Sequence, residues 1–118
     1  MMFDELSFEW KLVGKSKMCS GNEYRVTLTY MDKSYTFPFH TNYRDVKDDR
    51  KFLSCLFSDA LAYENSADIL NFKDEFGYED AKECRRVYNA CRDISTKLHD
   101  LFNDQEFDDL YNEVNDGE

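Results

Sequence analysis

Positive charge is what this chain runs short of: the last basic residue is Lys97, while Asp and Glu continue to residue 118. Proline occurs once, at Pro38, and the glycines stand singly at 14, 21, 77 and 117. Without a glycine cluster there is no loop of the kind that cradles phosphates through its backbone N–H groups. Histidine is nearly absent, with only His40 and His99, which removes most nucleophile-activating arrangements. No apolar run approaches the roughly 18 residues that a membrane-spanning helix needs. Residues 1–5 lack the basic start and apolar stretch of a signal peptide, so the expected compartment is the cytosol. Cys19, Cys55, Cys84 and Cys91 form no C-x-x-C pair. Three of them fall on apolar helical faces, which reads as buried reduced thiols.

Negative charge is abundant and unevenly placed. The formal charge of −10 arises entirely in residues 52–118, which hold 17 acids against 6 bases; residues 1–51 hold 8 acids and 9 bases. The chain is nevertheless 42% apolar and 16% aromatic, unlike a disordered acidic tail, and its 118 residues suffice for one domain with a real core. An anionic surface attracts cationic partners over long range. It also repels nucleic acid and anionic membranes, so direct binding to either is not expected. Lys11, Lys15 and Lys17 read as a solvated, edge-protecting group on a strand.

Strict alternation predicts three strands. Residues 7–13 put Phe8, Trp10 and Leu12 on one face; residues 24–31 do the same with Tyr24, Val26, Leu28 and Tyr30; residues 34–40 follow with Tyr35, Phe37 and Phe39. Short connections, one of them Asp32-Lys33, make these an antiparallel meander. Pro38 places the third strand at an edge, because it cannot donate to a ladder. Helical spacing then predicts a helix from an Asp48 or Asp49 cap to about residue 63. A short helix over residues 67–76 follows, capped by Ser66 and turning Ile69, Leu70 and Phe76 inward, with Gly77 as its left-handed C-cap. A long helix spans residues 79–102, with the stripe Cys84, Val87, Tyr88, Cys91, Ile94, Leu98, Leu101 and Phe102 facing the core or, alternatively, a partner helix. The last helix, residues 104–114, has Phe107, Leu110, Tyr111 and Val114 on one side. The predicted class is α+β: a three-stranded antiparallel meander packed against about four helices, in one domain with a meander (1–43), a helical part (44–103) and an acidic C-terminal helix (104–118).

No catalytic or metal constellation emerges. Cys84 and Cys91 share a helical face but lie about 10 Å apart along it, too far for one zinc ion. Asp104, Glu106 and Asp108 imitate the first acids of a calcium loop, yet Asp109 occupies the position of its obligatory glycine. Paired carboxylates arise from composition alone. The expectation is a protein that is not an enzyme and uses no cofactor or metal. What remains is the placement of the acids. Asp109, Glu113 and Asp116 recur at i, i+4 and i+7 on the last helix, opposite its apolar stripe, with Asp104 and Asp108 before them. Such repeats cost a few tenths of a kcal/mol per pair and oppose the helix dipole. They read either as a solubilising tail or as a ridge for a basic partner. That ridge spans about 10 Å, near three base steps of about 3.4 Å. Asp74, Glu75, Glu79 and Asp80 form a second acidic group.

The middle of the chain also carries a resemblance. The runs Phe52-Leu53-Ser54-Cys55-Leu56-Phe57-Ser58-Asp59-Ala60, Tyr63-Glu64-Asn65, Phe72-Lys73-Asp74-Glu75-Phe76-Gly77-Tyr78 and Ala81-Lys82-Glu83-Cys84-Arg85-Arg86-Val87-Tyr88 resemble a family of small tailed-phage proteins. The likeness covers about residues 48–102. The link after Tyr78 is shorter than in that pattern, and residues 104–118 look like an addition. The family offers no catalytic residues to transfer. What the resemblance implies is a phage gene expressed in the cytosol of a host bacterium. Its product would inhibit a basic host protein, first of all a Cas effector (an anti-CRISPR protein), by occupying its nucleic-acid channel through Asp104, Asp108, Asp109, Glu113 and Asp116, then Asp74, Glu75, Glu79 and Asp80. The alternatives are a phage structural or assembly accessory that self-associates, and an inhibitor of a restriction or other nucleic-acid-binding enzyme.

Overall fold

The computed structural model describes residues 2–42 and 48–116. The expected boundary between residues 43 and 44 lies outside them, as do Gly117 and Glu118. Eight elements follow in order: α1 (Met2–Glu5), β1 (Ser7–Lys15), β2 (Asn22–Tyr30), β3 (Lys33–Thr41), α2 (Asp49–Glu64), α3 (Ile69–Phe76), α4 (Ala81–Leu101) and α5 (Asp104–Asp116). The fold is α+β, with a three-stranded antiparallel sheet of order β1-β2-β3.

Alternation sets the sheet's register. Phe8, Leu28 and Tyr35 align across the three strands, as do Trp10, Val26 and Phe37. Because side chains alternate with period two, these rows share one face. The opposite face is polar, with Thr27 bonded to Thr36 and Thr29 to Ser34. Pro38 sits on β3, which pairs only with β2, so its missing N–H costs no ladder bond. Two details differ from expectation. A register shift between Leu12 and Gly14 turns the end of β1, leaving Leu12 54% exposed instead of in the core. The β2–β3 turn is Met31-Asp32, closed by the Tyr30–Lys33 pair, because Tyr30 is held inside and Met31 must swing out at φ 57°.

The helices begin where carboxylates can accept orphan backbone N–H groups. Asp48 accepts from Arg50 and Lys51 at the start of α2, and Asp80 from Lys82 at the start of α4. Asp68, not Ser66, caps α3 by accepting from Asn71; the Ser66 hydroxyl instead donates back to Ala62 O of α2. Gly77 ends α3 at φ 70°, a conformation that suits glycine. Asn103 and Glu106 form a reciprocal capping box at the start of α5: each side chain accepts the other's backbone N–H, at 2.8 and 2.9 Å. On α3 Phe72 is buried and Ile69 packs half-buried against the same cluster, as expected for Ile69; Leu70 and Phe76 are 67% and 47% exposed, contrary to expectation, because the short helix turns only its Ile69 and Phe72 side inward. α1 has no counterpart in the sequence reading. Its Phe3 N–H donates to the Glu113 carboxylate and the Arg50 guanidinium covers the Phe3 ring at 4.7 Å.

Two apolar clusters result. The larger joins the sheet's inner face to α2, the C-terminal half of α4 and α5. The smaller gathers Phe72, Cys84 and Cys91, with Tyr63, Tyr78, Val87 and Tyr88 around them. The α4 stripe is thereby consumed within the chain, with Cys84, Cys91, Ile94, Leu98 and Leu101 buried, which leaves no dimer seam on that face. Phe52 is the main pin: its ring meets Phe8 and Trp10 of β1, Tyr24 of β2 and Phe39 of β3 at centroid distances of 5.6, 5.0, 5.2 and 5.4 Å. Phe52→Ala is expected to lower stability in denaturant unfolding by roughly 3–5 kcal/mol, whereas Leu70→Ala on exposed α3 changes it by less than about 0.5 kcal/mol.

Candidate functional site

The acids of α5 divide by helical angle into two sets. Glu106 accepts the Tyr30 hydroxyl at 2.7 Å. This bond holds its carboxyl below the ordinary range and raises the Tyr30 phenol to about 12. Seven residues on, Glu113 accepts from Phe3 N and lies 3.7 Å from the Arg50 guanidinium, with its side chain only 8% exposed. Glu113 was expected on the exposed ridge between Asp109 and Asp116. Its correction has a plain cause: α1 and α2 cover that end of the ridge, bringing Phe3 N and Arg50, 63 positions earlier, onto the carboxylate. The second set points outward. Asp104, Asp108 and Asp109 are exposed. Asp104 is 3.8 Å from His99 Nδ1, and Asp109 accepts from Gln105 at 2.9 Å. Among the described residues no Lys or Arg pairs with any of the three. Asp116 ends α5, and its side chain lies outside the described residues.

His99 braces the base of this helix. Its imidazole stacks on Phe107 at 4.3 Å, contacts Glu64 of α2 through Nε2, and faces Asp104 through Nδ1. The outward acids therefore stand on a docked helix. The second predicted group is separate from them. Asp74, Glu75 and Glu79 are exposed, and Asp80 is engaged as the α4 cap. They flank the N-terminus of α4, whereas α5 begins beyond its C-terminus; 21 residues at 1.5 Å rise put about 30 Å between the helix ends. The structure does not bring the two groups into one patch.

A feature absent from the sequence reading lies where the β3 edge faces α4. A half-open cavity of about 580 Å³ is lined by Met18 and Cys19 of the β1–β2 loop, Pro38 and His40 of β3, Cys55 and Asp59 of α2, Tyr78, and Val87, Ala90 and Cys91 of α4. An adjoining lobe of about 300 Å³ shares Met18, Pro38, His40 and Ala90 and ends at Arg86, Asp93 and Lys97. The loop is held by Ser16, whose hydroxyl bonds His40 Nδ1 at 2.8 Å and accepts Met18 N at 2.9 Å. Gly21 closes it: a Cβ there would come within 2.0 Å of Thr41 O. Asp59 has no hydrogen-bond or ion-pair partner among the described residues.

Desolvation, with no counter-charge among the described residues, raises the Asp59 carboxyl to about 7. The same burial pushes the Cys91 thiol up to about 12 and the Cys55 thiol upward, with the Asp59 charge adding to both. These thiols stay protonated and are poor nucleophiles. Among the described residues no group of three or more His, Cys, Asp or Glu is arranged to hold a metal ion. One sequence signal for the cavity existed. Asp59 follows Phe52, Cys55 and Leu56 at seven, four and three residues, so an acid stands on the apolar side of α2.

Glu113→Gln should lower stability by roughly 1–3 kcal/mol, since Arg50 loses a poorly hydrated counter-charge, while Asp109→Asn stays within about 0.5 kcal/mol; thermal and denaturant unfolding check both. Asp59 sets a pH dependence of known sign. Its folded-state pKa lies above the unfolded value, so stability is greatest below about pH 4 for this group and falls as pH rises toward 7. Asp59→Asn should therefore be more stable than the parent at pH 8 by roughly 1–3 kcal/mol, with the difference closing toward pH 4.

Compared with protein-family models, with curated proteins and with solved structures, the chain matches none.

Proposed function

We propose that this protein is a non-enzymatic binding protein whose α5 engages a cationic protein surface and displaces nucleic acid from it. The observation that carries this reading is the outward set Asp104, Asp108 and Asp109, free of Lys and Arg partners on a helix anchored by Glu106 and Glu113. Anchoring matters because a rigid anionic ridge loses little entropy on binding. Asp104 and Asp108 are four residues apart, about 6 Å along the axis, close to two base steps of about 3.4 Å. The net charge of −10 adds long-range attraction to any basic channel. The resemblance of residues 48–102 to small tailed-phage proteins makes a bacterial Cas effector the first partner to test, with restriction and other nucleic-acid-binding enzymes next. Asp74, Glu75 and Glu79 would serve a second contact about 30 Å away.

Self-association as an assembly accessory keeps one supporting observation, the exposed Leu70 and Phe76 of α3. A single experiment separates the two readings. DNA binding by a panel of Cas effectors is measured with the parent protein and with the triple variant Asp104→Asn, Asp108→Lys, Asp109→Lys, at low and high salt, with light scattering on each sample. The proposal expects inhibition that weakens with salt and falls at least about ten-fold in the variant. Unchanged inhibition in the variant, or no inhibition together with a salt-insensitive homo-oligomer, overturns it.

A further inference from the structure

The cavity between β3 and α4 is lined by a carboxylate that no described residue answers. Asp59 reaches it from α2, and the surrounding groups are Cys55 on its own helix, Cys91 and Val87 on α4, Tyr78 ahead of α4, and His40 on β3. Among the described residues no Lys or Arg lines this inner lobe; Arg86 and Lys97 belong to the outer one. A half-buried acid at an apolar wall gains from a counter-charge or a hydrogen-bond donor, since its partial desolvation is otherwise not offset. We propose that the inner lobe binds a small apolar molecule bearing a cationic amine, with the ammonium against Asp59 and the apolar body along Val87, Ala90, Cys91 and Pro38. The volume of about 580 Å³ falls within the range of small-molecule sites, which combine apolar walls with a few placed polar groups. The strongly negative chain favours approach of a cation. A carboxylate ligand would meet Asp59 as a like charge, and a neutral ligand would leave Asp59 unanswered once ionised. This site is independent of the acidic face of α5.

The test uses three ligands on one skeleton: tryptamine, tryptophol and indole-3-acetate, titrated into the full chain at pH 8 by calorimetry and followed by amide NMR. Tryptamine should bind about ten-fold tighter than tryptophol, the scale of one charge-assisted contact, and indole-3-acetate should bind weakest. Shifts should centre on residues lining the cavity. Asp59→Asn should reduce tryptamine to the affinity of tryptophol, and this variant removes an unpaired charge, so its fold is retained. Ala90→Leu, which fills the junction of the two lobes, should weaken all three. Lowering the pH from 8 to 6 should erode the preference for tryptamine, as protonation of Asp59 competes. His40→Gln should show the same erosion, because the charge of His40 is not its source. Equal binding of tryptamine and tryptophol, a preference that survives Asp59→Asn, or no binding at millimolar concentration overturns the proposal.

Discussion

Phe52 touches aromatic rings from all three strands at once, and the rest of the structure is arranged around that contact. A three-stranded meander is marginal alone, because one apolar face must be covered by something. α2 supplies the cover through Phe52 and the adjoining Leu53, Leu56 and Phe57, all buried. Trp10 fixes the entry of that helix twice, stacking on Phe52 and donating its indole N–H to Asp49 at 2.9 Å. With α2 seated, α5 packs on its other side through Phe57 against Phe107 and Tyr111. α4 closes the sheet through Ile94, Leu98 and Leu101. Every candidate functional group takes its position from this stack.

The charge is sorted by the same packing. A chain with an excess of acids can fold only if some of them make specific bonds and the rest reach water. Asp48, Asp68 and Asp80 start helices. Glu106 and Glu113 attach α5 to β2, α1 and α2. Asp104, Asp108 and Asp109 are left on the surface, where their mutual repulsion is tolerated because solvent screens it. Asp59 fits neither set: it is half-buried where α2 lines the cleft, and no described residue bonds it or pairs with it.

The sequence reading recovered what short-range periodicity encodes and lost what depends on distant partners. Alternation over Tyr24, Val26, Leu28 and Tyr30 located β2 because period two and burial of one face are local properties. The four residues of α1 are too few to show any period; that turn depends on Arg50 and on Glu113, 110 positions away. Glu113 read as a ridge residue for the same reason, since a scan of neighbouring sequence finds no base after Lys97. Leu70 and Phe76 were placed inward on composition, but an eight-residue helix seated through Phe72 and the half-buried Ile69 leaves both of them on its outer side. The acids of α5 were legible as a group, and their division was not. The cavity was hidden because its walls come from four separated segments, although Asp59 on an apolar face hinted at it.

Sorting of the acids into anchored, exposed and stranded groups is the claim on which both functional readings stand. A site-resolved titration of the side-chain carboxyls by NMR tests it most directly. The account predicts that Asp59 titrates near pH 7 and Glu106 below the ordinary carboxylate range, each moving to ordinary values when Asp59 is exposed by unfolding or Tyr30 is changed to Phe. If Asp59 and Glu106 both titrate as ordinary solvated acids in the folded chain, the sorting is wrong.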